Sequence, residues 1–279
     1  MIRKNIFETL EDNYNIKEEI NNISFLFDSA LIISYTEIST NRDFYSESIE
    51  EFVTDYLFHK WESRKTCLSC KHMRKILKID ELKKSSDFND ISFCLEYYLN
   101  ILQLFLRNYK SIGEYFNLSN NLTILYENIN TLMEHINYQI VDIKNEERVL
   151  IVPKNPASTA AAEVSSKQTG IAILKYHHAL LKGNLNGKRN LLAEIALEYE
   201  PILNSPKDLF SKTRALLNNL NIRHNNAEGK NAQVLPQNLE EWYDDLYDML
   251  LLCKLENENV SRMSKVQALL DTMSKKTDK

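Results

Sequence analysis

The sequence predicts an all-α protein in two parts, a helical region over residues 1–148 and a helical bundle over residues 149–279. Three observations carry that expectation. Only 5 Gly and 5 Pro occur among 279 residues, with no Gly before Gly113 and no Pro before Pro153, so the first half lacks the punctuation that frequent tight turns and strand ends need. Apolar residues recur at three- and four-residue steps over long stretches. Between these stretches, "ERVLIVPKNPASTAAAEV" breaks the periodicity with β-branched Val149, Ile151 and Val152, then Pro153 and Pro156, which places the junction near residues 149 to 158.

In the first part the clearest helix is "DISFCLEYYLNILQLFLRNYKSIGEYF". Cys94, Tyr98, Leu102, Phe105 and Tyr109 form its buried stripe, Leu95, Leu99 and Leu106 widen it, and Asp90 stands at the N-cap. After the junction, Ser158 or Thr159 caps a helix running through "AAAEVSSKQTGIAILKYHHALLKG", with Ile171, Leu174, His178 and Leu181 near one face. Gly183 and Gly187 make a turn. A second helix, "KRNLLAEIALEYEPILN", carries Leu191, Leu192, Ile195 and Leu197 and ends around Pro201. A third starts at Ser205 and Pro206, a serine N-cap with proline at N1, and carries Leu209, Leu216, Leu217 and Leu220. The fourth, "LEEWYDDLYDMLLLCKLE", places Trp242, Leu246, Met249, Leu250 and Cys253 at helical spacing.

A formal charge of -5 and a pI near 5.8 exclude a broadly basic nucleic-acid coat, since phosphate binding scales with clustered Lys and Arg. The charge is uneven. Residues 1–148 hold 17 basic and 24 acidic side chains and residues 149–279 hold 17 and 15, so the second part is the better anion binder. Cys67, Cys70, Cys94 and Cys253, with no apolar leader segment, fit free thiols in a reducing cytoplasm. No apolar run reaches the roughly 18 residues of a membrane span, so a soluble chain is expected.

Several short motifs have competing readings. "GNLNGKRN" has three residues between its glycines where a phosphate loop needs four, lacks the Ser or Thr after Lys188, and joins helix to helix, so it is no nucleotide site. "CLSCKHMRK" sets Cys67, Cys70 and His72 at spacings zinc could use, but no fourth ligand follows; on a helix the two cysteines are small core residues. Nine basic residues between Lys60 and Lys84 make a solvated helix face, with RNA or partner contact as the alternative. In "YHHALL", His177 and His178 point about 100° apart and cannot share a metal; His178 is the one expected to face inward.

"NNLNIRHNN", residues 218–226, falls in the longest loop of the bundle. One reading is structural: a helix ends near Leu220, Asn221 takes the left-handed cap conformation, and Arg223 covers the last carbonyls. The other is functional, because His224 and the further asparagines are good hydrogen-bonders to phosphate, ribose and base edges.

With a helical bundle around an Arg–His loop, residues 149 to 258 resemble a HEPN domain, the all-α fold of many bacterial toxins, abortive-infection proteins and RNA-guided effectors. The run from "IVPKNPASTAAAEV" through "YHHALLKGNLNGKRN" and "LLNNLNIRHNN" to "LEEWYDDLYDMLLL" is similar to abortive-infection-like proteins of that group. The resemblance implies an antiphage-defence protein that binds RNA, cleaves it without metal or other cofactor, and pairs two chains as a homodimer. It implies Arg223 and His224 as catalytic residues and Asn218, Asn221, Asn225, Asn226 and Lys230 as RNA-binding residues. The family's second histidine is replaced: its three allowed positions hold Glu228, Gly229 and Lys230. A phage protein or an antitoxin is the further partner expected, and a membrane is not. The alternative is a non-enzymatic interaction module or a nucleotide-sensing module.

Overall fold

The computed structural model of the protein describes residues 15–29, 33–37, 44–112, 116–120, 122–143, 147–222 and 236–277. The chain divides into two compact units, Met1–Pro153 and Lys154–Lys279. Both are predominantly helical. The first holds α1 (Ile16–Asp28), β1 (Ile33–Glu37), β2 (Phe44–Glu47), α2 (Ile49–Tyr56), α3 (Cys70–Ile76), α4 (Ile79–Leu82), α5 (Phe88–Ile112), β3 (Phe116–Asn120), α6 (Leu122–His135), β4 (Tyr138–Ile143) and β5 (Arg148–Pro153). The second holds α7 (Pro156–Glu163), α8 (Lys167–Lys175), α9 (Leu185–Leu203), α10 (Asp208–Asn219) and α11 (Pro236–Thr277).

The expected stripe of α5 is the axis of the first core: Cys94, Leu95, Tyr98, Leu99, Leu102 and Phe105 are fully buried beside Ile20, Phe27, Phe52 and Ile129. Leu106 lies at its edge, 41% exposed. The helix begins before Asp90, and it is the Asp87 carboxylate that accepts the Asn89 N–H, at 2.8 Å.

Among its described residues this unit holds five short strands beside its helices. An antiparallel sheet has the order β2-β1-β3, and β4 pairs antiparallel with β5 from Tyr138↔Pro153 to Ile143↔Arg148. The turns use positive φ at Asn137 and Glu147, so the shortage of glycine did not forbid them. Strand β5 is the β-branched run expected to open the second part. Instead α5 seals its free edge. Asn100 exchanges two hydrogen bonds with the backbone of Val149, at 2.9 and 3.0 Å, and Glu96 accepts the Ile151 N–H at 2.7 Å. An edge whose backbone groups are satisfied from α5 belongs with α5. The two compact units meet between Pro153 and Lys154.

The helices of the first unit are pinned by Arg74 on α3. Its guanidinium meets Asp28 at 2.6 Å, Asp80 at 2.6 Å and Glu50 at 3.3 Å, while Tyr97 donates to the same Glu50 oxygen at 2.9 Å. Burial holds the Glu50 carboxyl above its ordinary range despite Arg74.

The second unit packs α7 on α8, α8 on α9, and α11 against α7, α9 and α10. The single helix expected over 160–183 is broken at Ser165–Ser166. There the Ser166 hydroxyl caps the Thr169 N–H, and Glu198 accepts the Ser166 N–H and O–H, a local set of bonds that competes with helix continuation. Residues facing the core of α8 are Thr169, Gly170, Ala172 and Ile173, one step off the expected face. Leu197 is 75% exposed, while Leu192, Ile195, Ala196, Tyr199 and Leu203 are buried, and α9 continues through Pro201. Helix α10 is preceded by Lys207, not by a serine cap. In α11, Trp242 is on the surface and Tyr243, Leu246, Tyr247, Leu250 and Cys253 are inside. This helix runs on to Thr277, well past the expected end.

Replacing Arg74 by alanine strands the Glu50 charge, whose side chain is 12% exposed, whereas Asp28 and Asp80 stay hydrated. A loss of about 2–4 kcal/mol is expected. Lys212→Ala, which breaks only the exposed pair with Asp208, should change stability by under about 0.5 kcal/mol. Urea unfolding of the three proteins checks the contrast.

Candidate functional site

The site is built where α10 ends and α9 begins. The last turn of α10 closes with the Asn221 N–H bonding the Asn218 carbonyl at 3.2 Å and the Ile222 N–H reaching the Leu217 carbonyl at 3.0 Å. Asn221 has φ of 56°, and Leu217 and Ile222 are both buried. This is a Schellman cap, in which the left-handed residue is asparagine because a short polar side chain tolerates that conformation. The identity of Asn221 is thereby explained by backbone geometry. Arg189, on α9, donates to the Asn221 carbonyl at 3.0 Å and fixes where the chain leaves the helix. Asn218 is exposed on the last turn. Arg223, His224, Asn225, Asn226 and Lys230, together with Glu228 and Gly229, lie outside the described residues.

One residue before Arg189 sits a buried ammonium. Lys188, with 6% of its side chain exposed, lies 2.7 Å from Asp244 and 2.9 Å from Glu240. Its Nζ is 5.2 Å from the centroid of the Tyr176 ring. Tyr176 stacks on Tyr247 with centroids 4.1 Å apart, and His177 stands edge-on to both rings. The Tyr247 hydroxyl donates to the Ile173 carbonyl at 2.9 Å and accepts from the Ser158 hydroxyl at 2.8 Å. Glu240 also accepts the Gly183 N–H at 3.0 Å, tying the turn before α9 to α11.

The glycines of "GNLNGKRN" serve that turn. Gly183 has φ of +74°, and a Cβ on Gly187 would sit 2.6 Å from the Leu181 side chain and 2.9 Å from the Asn184 amide that caps α9. No strand precedes them, in keeping with the rejected phosphate loop.

Titration in this cluster is opposed on two sides. Burial depresses the His177 imidazole below its ordinary value, with Asp244 and Asp248 pulling upward and Lys188 adding to the depression. Burial raises the Asp248 carboxyl, against the pull of His177 and with the repulsion of Asp244 and Asp245. His178 is buried, as expected, and its Nδ1 accepts the Leu180 N–H at 3.3 Å.

The other motifs are absorbed by the fold. Cys67 and Cys70 are buried free thiols; burial pushes Cys70 up to about 12. The His72 Nδ1 accepts the Leu68 N–H at 3.2 Å. Among the described residues no group of three or more His, Cys, Asp or Glu side chains is placed to hold a metal ion. The first unit has a cleft of about 770 Å³ bordered by Asp28, Glu50, Lys71, Arg74, Lys78 and Asp80. The cation most deeply set in it, Arg74, is already held by three carboxylates. No helix among the described residues is long and apolar enough to cross a membrane.

Sequence reading missed Lys188 and the carboxylates facing it. The signal was present: Glu240, Asp244 and Asp248 recur at four-residue steps and line one face of a helix.

No protein-family model matches the chain, and no curated protein or solved structure matches it.

The His177 and Asp248 shifts have opposite consequences for stability. A depressed imidazole means that the unfolded chain binds the extra proton first, so folding stability falls as pH drops below about 6.5, the ordinary histidine value. A raised carboxyl means that Asp248 costs stability at neutral pH and ceases to do so on acidification. His177→Gln should flatten the fall in melting temperature between pH 7 and 5, while Asp248→Asn should leave that fall in place. Thermal scans across the range decide between them.

Proposed function

We propose that the second unit is a HEPN-type RNA-binding module of a bacterial abortive-infection protein, and that it cuts RNA without a metal through Arg223 and His224. The observation that carries this reading is the exit from α10. A Schellman cap at Asn221, gripped by Arg189, releases the chain one residue before Arg223, and the next described element is α11, which carries the carboxylates of the Lys188 cluster. The arginine and histidine thus belong to a segment joining two packed helices of a bundle.

In the proposed reaction a 2′-hydroxyl oxygen attacks the adjacent phosphorus as the bond to the 5′-oxygen breaks. The imidazole of His224 takes the hydroxyl proton and returns it to the departing 5′-oxygen, leaving a 2′,3′-cyclic phosphate and a free 5′-hydroxyl. Arg223 offsets the charge that builds on the phosphoryl oxygens. Asn218, Asn225, Asn226 and Lys230 hold the strand. Asn221 acts chiefly as the cap that aims it. Two chains form the working unit.

A second reading, a non-enzymatic helical interaction module, draws on the acidic character of α11 near its start. Glu240, Glu241, Asp244, Asp245 and Asp248 repel phosphate and suit a basic protein surface.

The two readings part on RNA. With a labelled single-stranded RNA, Arg223→Ala should weaken binding at least tenfold and make its salt dependence shallower by about one phosphate contact. His224→Ala should abolish appearance of the cyclic-phosphate end while leaving binding and melting temperature nearly unchanged. If the wild type neither binds nor cuts RNA, the interaction-module reading replaces the proposal.

A further inference from the structure

The cleft of the first unit lies between the start of α2 and α3, and among the described residues only charged and hydroxyl-bearing side chains border it. Its volume of about 770 Å³ falls in the range of roughly 300–1,000 Å³ common to small-molecule sites. Two contacts set its walls. The Cys70 N–H donates to the Thr54 hydroxyl at 3.2 Å, and one turn further along α3 Arg74 reaches Glu50, one turn back along α2. The two helices therefore run antiparallel. Lys71 and Lys75 on α3, continued by Lys78, line one side of the cleft at steps of four and three, and Glu51 and Asp55 on α2 line the other at a step of four. The three lysines are exposed and, like Asp55, form no ion pair among the described residues. The edges thus carry opposite charges that do not consume each other.

The floor is short of positive charge. Asp28, Glu50 and Asp80 share two cations there, Arg74 and Lys83. Glu50 is served least. Its side chain is 12% exposed, Arg74 meets it at 3.3 Å where the other two carboxylates are at 2.6 Å, and Arg74 and Tyr97 both use Oε1. Oε2 accepts no hydrogen bond among the described residues. Burial raises this carboxyl even against Arg74 and Tyr97, so its charged form gains from one more positive group.

We propose that the cleft binds a zwitterionic amino acid with a polar side chain, its ammonium against Oε2 of Glu50 and its carboxylate between Lys71 and Lys75. A ligand of one sign fits half of the site. A lone carboxylate or phosphate drawn to the lysines would face Glu50, Glu51 and Asp55, and a lone amine drawn to the acids would face the lysines, so each loses to one edge what it gains from the other. A zwitterion meets both edges, and its charge-assisted hydrogen bonds replace those of the water it displaces. A polar side chain suits a cleft that has no apolar residue on its border. The inference concerns the first unit alone and holds whether or not the second unit cuts RNA.

Calorimetric titration of the full chain with three probes tests it. L-Glutamine carries both charges, 4-aminobutanamide is the same skeleton without the carboxylate, and glutaramate is the same skeleton without the ammonium. L-Glutamine should bind in the micromolar to millimolar range, and each truncated probe about tenfold more weakly. Lys75→Met, at an exposed position without an ion pair, should weaken L-glutamine about tenfold at an unchanged melting temperature. Glu50→Gln keeps an acceptor for Tyr97 and should erase the preference for L-glutamine over glutaramate, a ratio that a general loss of stability does not move. The proposal is overturned by absence of heat with L-glutamine at millimolar concentration, by a truncated probe that binds as tightly, by a Lys75 variant that binds normally, or by a Glu50 variant that keeps the preference.

Discussion

A buried ammonium sets the geometry of the second unit. Lys188 has left water almost completely, which costs several kcal/mol unless carboxylates and an aromatic face replace the lost hydration. Glu240 and Asp244 are one helical turn apart, so meeting both from a single Nζ fixes how α11 is rotated and how far it slides against α9. Tyr176 must then lie under the ammonium, its stacking partner Tyr247 comes from α11, and His177 is left edge-on to both. The side chain one place further along α9, Arg189, is carried to the end of α10. Helix rotation, aromatic stacking and the root of the Arg–His segment therefore share one constraint. It is an expensive one, and a bundle held by apolar contacts alone would not need it.

The sequence revealed the parts governed by apolar periodicity. The stripe on α5 is legible because each of its turns faces the same core, and the last three helices of the second unit were visible for the same reason. The strands were not. β1 to β4 are short, the turns at either end of β4 use asparagine and glutamate in left-handed conformations, and the neighbours of these strands are helices that dominate any window of a dozen residues. The run Val149–Val152 was recognised as extended, but its unit was decided by Glu96 and Asn100, side chains some fifty residues away. Long-range bonds of that kind leave no periodic trace. Core faces were misjudged where both sides of a helix carry leucines. Leu197 and Trp242 look like core residues at helical spacing, yet Ala196 and Tyr243 are the ones inside.

The candidate site was legible in a different way. "NNLNIRHNN" stood out because its polarity is not needed by a helix, and its first half has a wholly structural account: Asn221 is the cap, Ile222 the hydrophobic residue that closes it, and Leu217 its contact. That account stops at Ile222. The cap consumes one asparagine and requires neither arginine nor histidine. The Lys188 cluster was hidden because "GNLNGKRN" invites a phosphate reading, and rejecting that reading left its lysine without a role. Its partners lay among the many acids of α11, where only the four-residue steps of Glu240, Asp244 and Asp248 single them out.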